Sequence, residues 1–184
     1  MSLEELRRQA ANDPGIPEGV RNFLLKGASL DSIRLDAFGR WFHQGEPFIN
    51  LKLANLFHQS LYRTASGTWF LQIPPYTYPV SVDLTDRFVN KLLDETSTPR
   101  ARLIGNPDAS TPLDLRTLYT DGNSLIACIV QGSPARLVES AYRDILEKID
   151  EVNGEYFVTF EDARVVLRPL PENFFARAGV RKDA

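Results

Sequence analysis

The chain is poor in the residues that carry most recognisable chemistry. Its 184 residues include one cysteine, two histidines and two tryptophans. A single cysteine excludes the internal disulfide framework of small secreted proteins and fits a reducing compartment, so a cytoplasmic location is expected. Cys128 lies within LIACIV, residues 125–130. That is the setting of a buried, inert thiol, because reactive thiols sit in electropositive, partly exposed places. His43 and His58 have no partners at a structural-zinc spacing. His43 and Glu46 form H-x-x-E, and a metal would need at least one further ligand, so no metal and no cofactor is expected. Long apolar runs are missing too. LIACIV is the longest, far below the roughly 18 residues of a membrane helix, and no membrane association is expected. The N-terminus MSLEELRRQAAND has no apolar leader region. Basic charge shows no surplus, with 21 Lys and Arg against 24 Asp and Glu. Non-specific nucleic-acid binding depends on such a surplus, so no nucleic-acid partner is expected. There is no G-x-S-x-G elbow, P-loop or G-x-G-x-x-G. No catalytic residue is assigned, although a Ser–His–Asp group can meet only in the fold and is not visible as spacing.

What is present points to an α+β protein. Apolar residues make up 43% of the chain, enough for a core. Ser2-Leu3-Glu4-Glu5 is a capping box opening a short helix. Pro17 opens a second helix that Gly27 closes. From Ser32 the period shortens. Ile33-Arg34-Leu35 alternates as a strand, Asp36–Gly39 turns, Arg40–His43 returns, and Gln44–Pro47 turns again. Asn50 caps a helix from Leu51 to about Tyr62. Trp69–Ile73 reads as a strand. Pro74-Pro75-Tyr76-Thr77-Tyr78-Pro79 must be a loop, bulge or edge, since three prolines cannot donate to a ladder. Val80–Leu84 alternates as a strand, and Phe88–Leu93 fits a helix or a strand. Residues 94–112 read mostly as a connector, with a short strand over Ala101–Ile104. Leu113–Leu118 and Ser124–Val130 read as strands. Ser133-Pro134 is a helix start, predicting about four turns through Ile149. Asn153-Gly154 turns into a strand over Tyr156–Phe160, and Val165–Leu167 returns.

The two halves repeat one order: hairpin, helix, glycine turn, aromatic strand, turn, strand. Trp69-Phe70 stands where Tyr156-Phe157 stands, and Phe57 and Leu61 where Tyr142 and Leu146 stand. The expected fold is two similar ββαββ-like halves, each a small antiparallel sheet covered by one helix, preceded by two short N-terminal helices. The expected organisation is an N-terminal helical segment over 1–28, a first half over 29–95, a second half over 96–175 and a tail over 176–184. A duplication would account for the repeated order.

The stretch from Ile33 to Phe88 carries IRLDAFGRWFHQGEPFI, a helix with Leu56-Phe57, the G-x-W strand of Gly67–Trp69, and Val80-Ser81-Val82-Asp83 followed by Phe88. It resembles a bacterial family, the domain of unknown function 1285. That resemblance covers about 55 residues. It implies a cytoplasmic bacterial protein of two related α+β halves, the second similar to a pleckstrin-homology fold, with a polar ligand site between the halves and a role in signalling. The chain departs from the family at Ile73–Thr77, where a charged segment is replaced by Ile-Pro-Pro-Tyr-Thr.

The candidate ligand-binding residues are Arg40, Trp41, His43, Glu46 and Arg87. Trp41 would stack on a ligand ring while Arg40, His43 or Glu46 bound its polar edge; a core Trp41 is the alternative. Arg87 would meet a ligand anion, or pair with Asp83 or Asp86. Tyr76 and Tyr78 between prolines form either a stiff recognition loop or a packed edge. The expected function is a ligand-sensing or adaptor module for a small polar ligand or a protein partner. The alternatives are a protein-interaction module without a small-molecule site, and an enzyme of unrecognised type.

Overall fold

The computed structural model describes residues 1–93, 99–161 and 163–178. The chain divides by contact into two compact units, Met1–Asp86 and Arg87–Ala178. The strand over residues 88–93, expected in the first half, belongs with the second unit, and the N-terminal helices belong with the first.

In the first unit the capping box forms as read. The Glu5 N–H donates to Ser2 Oγ, and the Ser2 N–H to Glu5 Oε2, opening α1 (Leu3–Asn12). Helix α2 (Glu18–Leu25) follows Pro17. Leu6, Ala10 and Ala11 of α1 and Leu24 of α2 pack together with Leu30, and Tyr78 closes the cluster. Then come β1 (Ile33–Leu35), β2 (Trp41–His43) and β3 (Glu46–Pro47), an antiparallel meander. Asn50 caps α3 (Leu51–Gln59), its Oδ1 accepting from the Lys52 and Leu53 N–H. A second meander follows: β4 (Leu61–Arg63), β5 (Trp69–Ile73) and β6 (Tyr76–Pro79). Strand β7 (Ser81–Val82) returns to lie parallel to β1. The Tyr-Pro segment is thus an edge strand, joined to β5 by a tight Pro74-Pro75 turn with a cis peptide bond.

The second unit opens with β8 (Phe88–Leu93), β9 (Arg100–Leu103) and β10 (Asn106–Pro112). Most of the expected connector is therefore sheet, and its residues 94–98 lie outside the described ones. Pro107 is tolerated because β10 is an edge strand with a bulge between Asn106 and Ser110. Residues 113–118 are not a strand. Asp114 accepts the Arg116 N–H and starts a 3-10 turn, Leu115–Thr117. Next are β11 (Tyr119–Thr120), β12 (Ile126–Val130) and β13 (Ser133–Leu137). Ser133-Pro134 therefore starts a strand, not a helix. The hairpin through Gln131 and Gly132, both at positive φ, sets Pro134 opposite Ile129. The missing proline N–H is harmless there, because β8 joins β13 only at Arg136 and Leu137. The helix is delayed to α4 (Glu139–Leu146). Then β14 (Ile149–Val152), β15 (Glu155–Phe160) and β16 (Ala163–Val166) form a meander, and β17 (Arg168–Pro169) lies parallel to β11. The core packs Val89, Leu118, Cys128, Val130, Leu137, Ile145, Val158 and Phe160.

The architecture is α+β, but the expected pair of small antiparallel sheets is replaced, among the described residues, by four sheets, one of seven strands, with three parallel strand pairings. Among the described residues, strands β8–β10 have no counterpart in the first unit. Beyond them the two units follow one path. The sheet order β3-β2-β1-β7 matches β13-β12-β11-β17, and a helix then a three-stranded meander intervene in each. The hydrogen bonds align the residues. Asp36 Oδ1 accepts the Phe38 and Arg40 N–H, as Asp121 Oδ1 accepts those of Asn123 and Leu125. The Val80 N–H meets the Trp69 carbonyl as the Leu167 N–H meets that of Tyr156. Trp69 thus matches Tyr156, while Phe57 matches Ile145 and Leu61 matches Ile149, because Ser60 and Lys148 close the two helices in the same way. The expected match to Tyr142 and Leu146 is out of register, since β13 takes residues that the sequence pattern assigns to the helix.

Candidate functional site

The first hairpin places the candidate residues on different faces. Trp41 is 3% exposed, packed edge-on against Phe57 at 5.3 Å and His58 at 5.6 Å between ring centroids. It has no open ring face for a ligand to stack on. Arg40 points the other way, its guanidinium 2.7 Å from Asp36 and lying over the Phe38 and Phe42 rings. His43 and Glu46 are exposed and opposite each other across the β2–β3 ladder, with His43 Nε2 4.0 Å from Asp31. Arg87 lies in the second unit, where its guanidinium donates to the Val130 carbonyl and to Gln131 Oε1, each at 3.0 Å. Asp83, one of its expected partners, is held instead by Arg34 in a two-pronged pair.

The other reactive side chains serve the interior. His58 Nε2 lies 3.1 Å from the Gly39 carbonyl, and burial pushes the imidazole down to about 4, so it is neutral at ordinary pH. Burial pushes the Cys128 thiol up to about 12, the reverse of an activated nucleophile. Among the described residues no group of three or more His, Cys, Asp or Glu is placed to hold a metal. Among them, too, no helix is long and apolar enough to cross a membrane.

Sequence reasoning missed a cleft of about 470 Å³ in the second unit. It lies where the β11–β12 turn, the β14–β15 turn and the β16–β17 segment come together. Thr120, Asp121 and Gly122 line one side; Glu155, Tyr156, Val166, Leu167, Pro169 and Leu170 line the rest. The volume falls within the roughly 300–1,000 Å³ of small-ligand sites. Tyr156 is 46% exposed and Val166 is exposed as well. Asp121 is preorganised: Oδ1 takes the Asn123 and Leu125 N–H, which hold the carboxyl below its usual range, and Oδ2 makes no described bond. Glu155 has no cationic partner among the described residues. The cleft thus offers two anionic groups beside an aromatic face and an apolar floor. A broader, shallow depression of about 620 Å³ runs along α1 in the first unit, lined by Met1, Glu5, Arg8, Gln9, Asn12, Asp13 and Ser66. Neither is lined by Arg40, Trp41, His43, Glu46 or Arg87.

Nothing in a linear pattern joins residue 121 to 155 and 169.

No family model matches this sequence, and no curated protein matches it. Two solved structures do. One is a DUF1285 family protein from Silicibacter pomeroyi DSS-3, with a TM-score of 0.56 and 14% identity over 77% of this chain and 81% of that one. The other is a DUF1285 family protein from Shewanella baltica OS155, with a TM-score of 0.48 and 16% identity over 64% of this chain and 91% of that one. The chain therefore has the fold of a DUF1285 family protein, the family that residues 33–88 resemble.

Proposed function

We propose that this chain is a binding module, a ligand sensor or adaptor, and a divergent relative of the DUF1285 proteins that works in the bacterial cytoplasm as a component of signalling. The cleft beside Asp121, Glu155 and Tyr156 carries the reading, because it combines ligand-sized volume with two carboxylates that have no cation of their own among the described residues. Support against an enzyme comes from Cys128 and His58, which burial holds in their neutral forms. The buried cysteine also fits a reducing compartment, and the net charge of −3 disfavours nucleic acid as the partner. The common strand path of the two units supports an internal duplication.

With Trp41 buried, this reading puts the ligand at the cleft of the second unit rather than at the hairpin. A thermal-shift screen over nucleotides, polar metabolites and short peptides tests this, using the native protein, Tyr156→Ala and Trp41→Phe. A ligand at 100 times its dissociation constant adds about 2.7 kcal/mol, which for a chain of this size raises Tm by several degrees. The expected result is a rise in the native protein and in Trp41→Phe that Tyr156→Ala abolishes. A rise kept in Tyr156→Ala, or no rise with any compound, contradicts the reading.

A further inference from the structure

The matching ends of the two units differ in one respect. In the first unit the chain itself seats against the end of the β4–β5 hairpin. Asp13 Oδ2 accepts the Thr64 hydroxyl at 2.6 Å, and Gly15 sits so close to Thr64 that a Cβ on it would lie 2.8 Å from that side chain. Asp36, Thr68, Trp69 and Val80 at this end are all buried, Trp69 to 8% exposure. Their counterparts in the second unit are Asp121, Glu155, Tyr156 and Leu167, and the first three of these are exposed around the cleft. The segment seated in the first unit presents an acid to the Thr64 hydroxyl, beside Thr68. In the second unit Thr64 is matched by Val152 and Thr68 by Glu155, so these two positions offer no hydroxyl to an acid and carry a carboxylate instead.

Resting on the reading of the cleft as a binding site, we propose that it receives a lysine or arginine side chain, flanked by an apolar residue, from a partner polypeptide. Glu155 and Asp121 Oδ2 would take the cation, and the exposed Tyr156 ring adds a cation–π face. Val166, Leu167 and Leu170 would take the apolar neighbour. Charge complementarity selects this occupant: both carboxylates lack a cation of their own among the described residues. The seated segment of the first unit supplies the precedent for a polypeptide. Recognition runs through side chains, since β17 is the edge of its sheet and Pro169 has no N–H to offer an added strand. A second copy of Asp13–Ile16 is a poor occupant, because Asp13 would face two like charges.

The test is a titration of the labelled full chain, followed by amide NMR shifts, with the peptide amide Ac-Leu-Arg-Leu-NH2. The controls are the same peptide with Glu for Arg, free agmatine, and the variants E155Q and Y156A. The expected result is saturable shifts at 120–122 and 154–156, an affinity about threefold to tenfold weaker in E155Q, weakening with salt, and no saturation by the Glu peptide. Equal binding of the Glu peptide, shifts that avoid the cleft, agmatine binding as tightly as the peptide, or self-association that fills the cleft each overturn the proposal. If metabolites from the screen bind the cleft and this peptide does not, the cation inference alone fails; if no compound binds there, the reading beneath it fails as well.

Discussion

Trp41, His58 and Cys128 are the residues whose chemistry the interior suppresses. Trp41→Ala removes a large packed ring and is expected to cost about 3–5 kcal/mol, measured by denaturant unfolding, with no selective loss of ligand response in the folded fraction. His58 has a folded value of about 4 against an unfolded value near 6.5. Between those values the unfolded chain binds more protons than the folded one, so stability rises with pH across that window and falls on acidification. The full difference corresponds to at most about 3–4 kcal/mol, less because the ring is only half-buried. Unfolding free energies at pH 4.5 and pH 7 check this, and His58→Phe is expected to flatten the slope. Asp13 acts in a lower window. Burial opposes its ionisation, but hydrogen bonds from Thr64 and the Gly15 N–H outweigh it and hold the carboxyl below its ordinary value. Its contribution is therefore present above that ordinary value and lost as pH falls through the lowered one. Cys128 is expected to resist a thiol reagent in the native protein and to react only on unfolding; rapid labelling under native conditions would contradict its burial. The sequence marked Cys128 correctly from its apolar neighbours. It left Trp41 open between two roles, because alternation says which residues share a face and not which face is covered.

Elements with local signals were legible. The capping box at Ser2, the Asn50 cap and the Asn153-Gly154 hairpin each contain their own hydrogen-bonding logic within four residues. Ser133-Pro134 shows the limit. Its local chemistry suits a helix start, but pairing with β12 and β8 makes it strand, a tertiary effect with no local mark. The polar stretch 100–112 became sheet for the same reason. Two substitutions probe element contacts directly. Gly15→Ala places a methyl against Thr64 and is expected to cost about 1–3 kcal/mol, read from the denaturation midpoint; Gly19→Ala, which meets nothing within 4 Å, is expected to be neutral or stabilising. Thr64→Val removes the hydroxyl that donates to Asp13 and is expected to cost about 1–3 kcal/mol, and to shrink the loss of stability on acidification that Asp13 contributes.

At the scale of the molecule, two units share a path of hairpin, helix, meander and parallel return strand, and they differ in what covers one end. The repeated order was visible in the sequence because each half has the same succession of turns and aromatic strands. The three added strands and the parallel pairings were not, since they depend on contacts between distant segments. The cleft was hidden for the same reason: its walls come from three segments, 120–122, 154–156 and 166–170, that only the fold brings together. The central claim is that the open end of the second unit, and not the Trp41 hairpin, is where the protein binds. The direct measurement is amide shift mapping of the native chain with the ligand that gives the strongest thermal shift. The account predicts the largest changes at residues 120–122, 154–156 and 167–170, with those at 40–46 unmoved. Changes centred on 40–46, with the cleft amides unmoved, would contradict it.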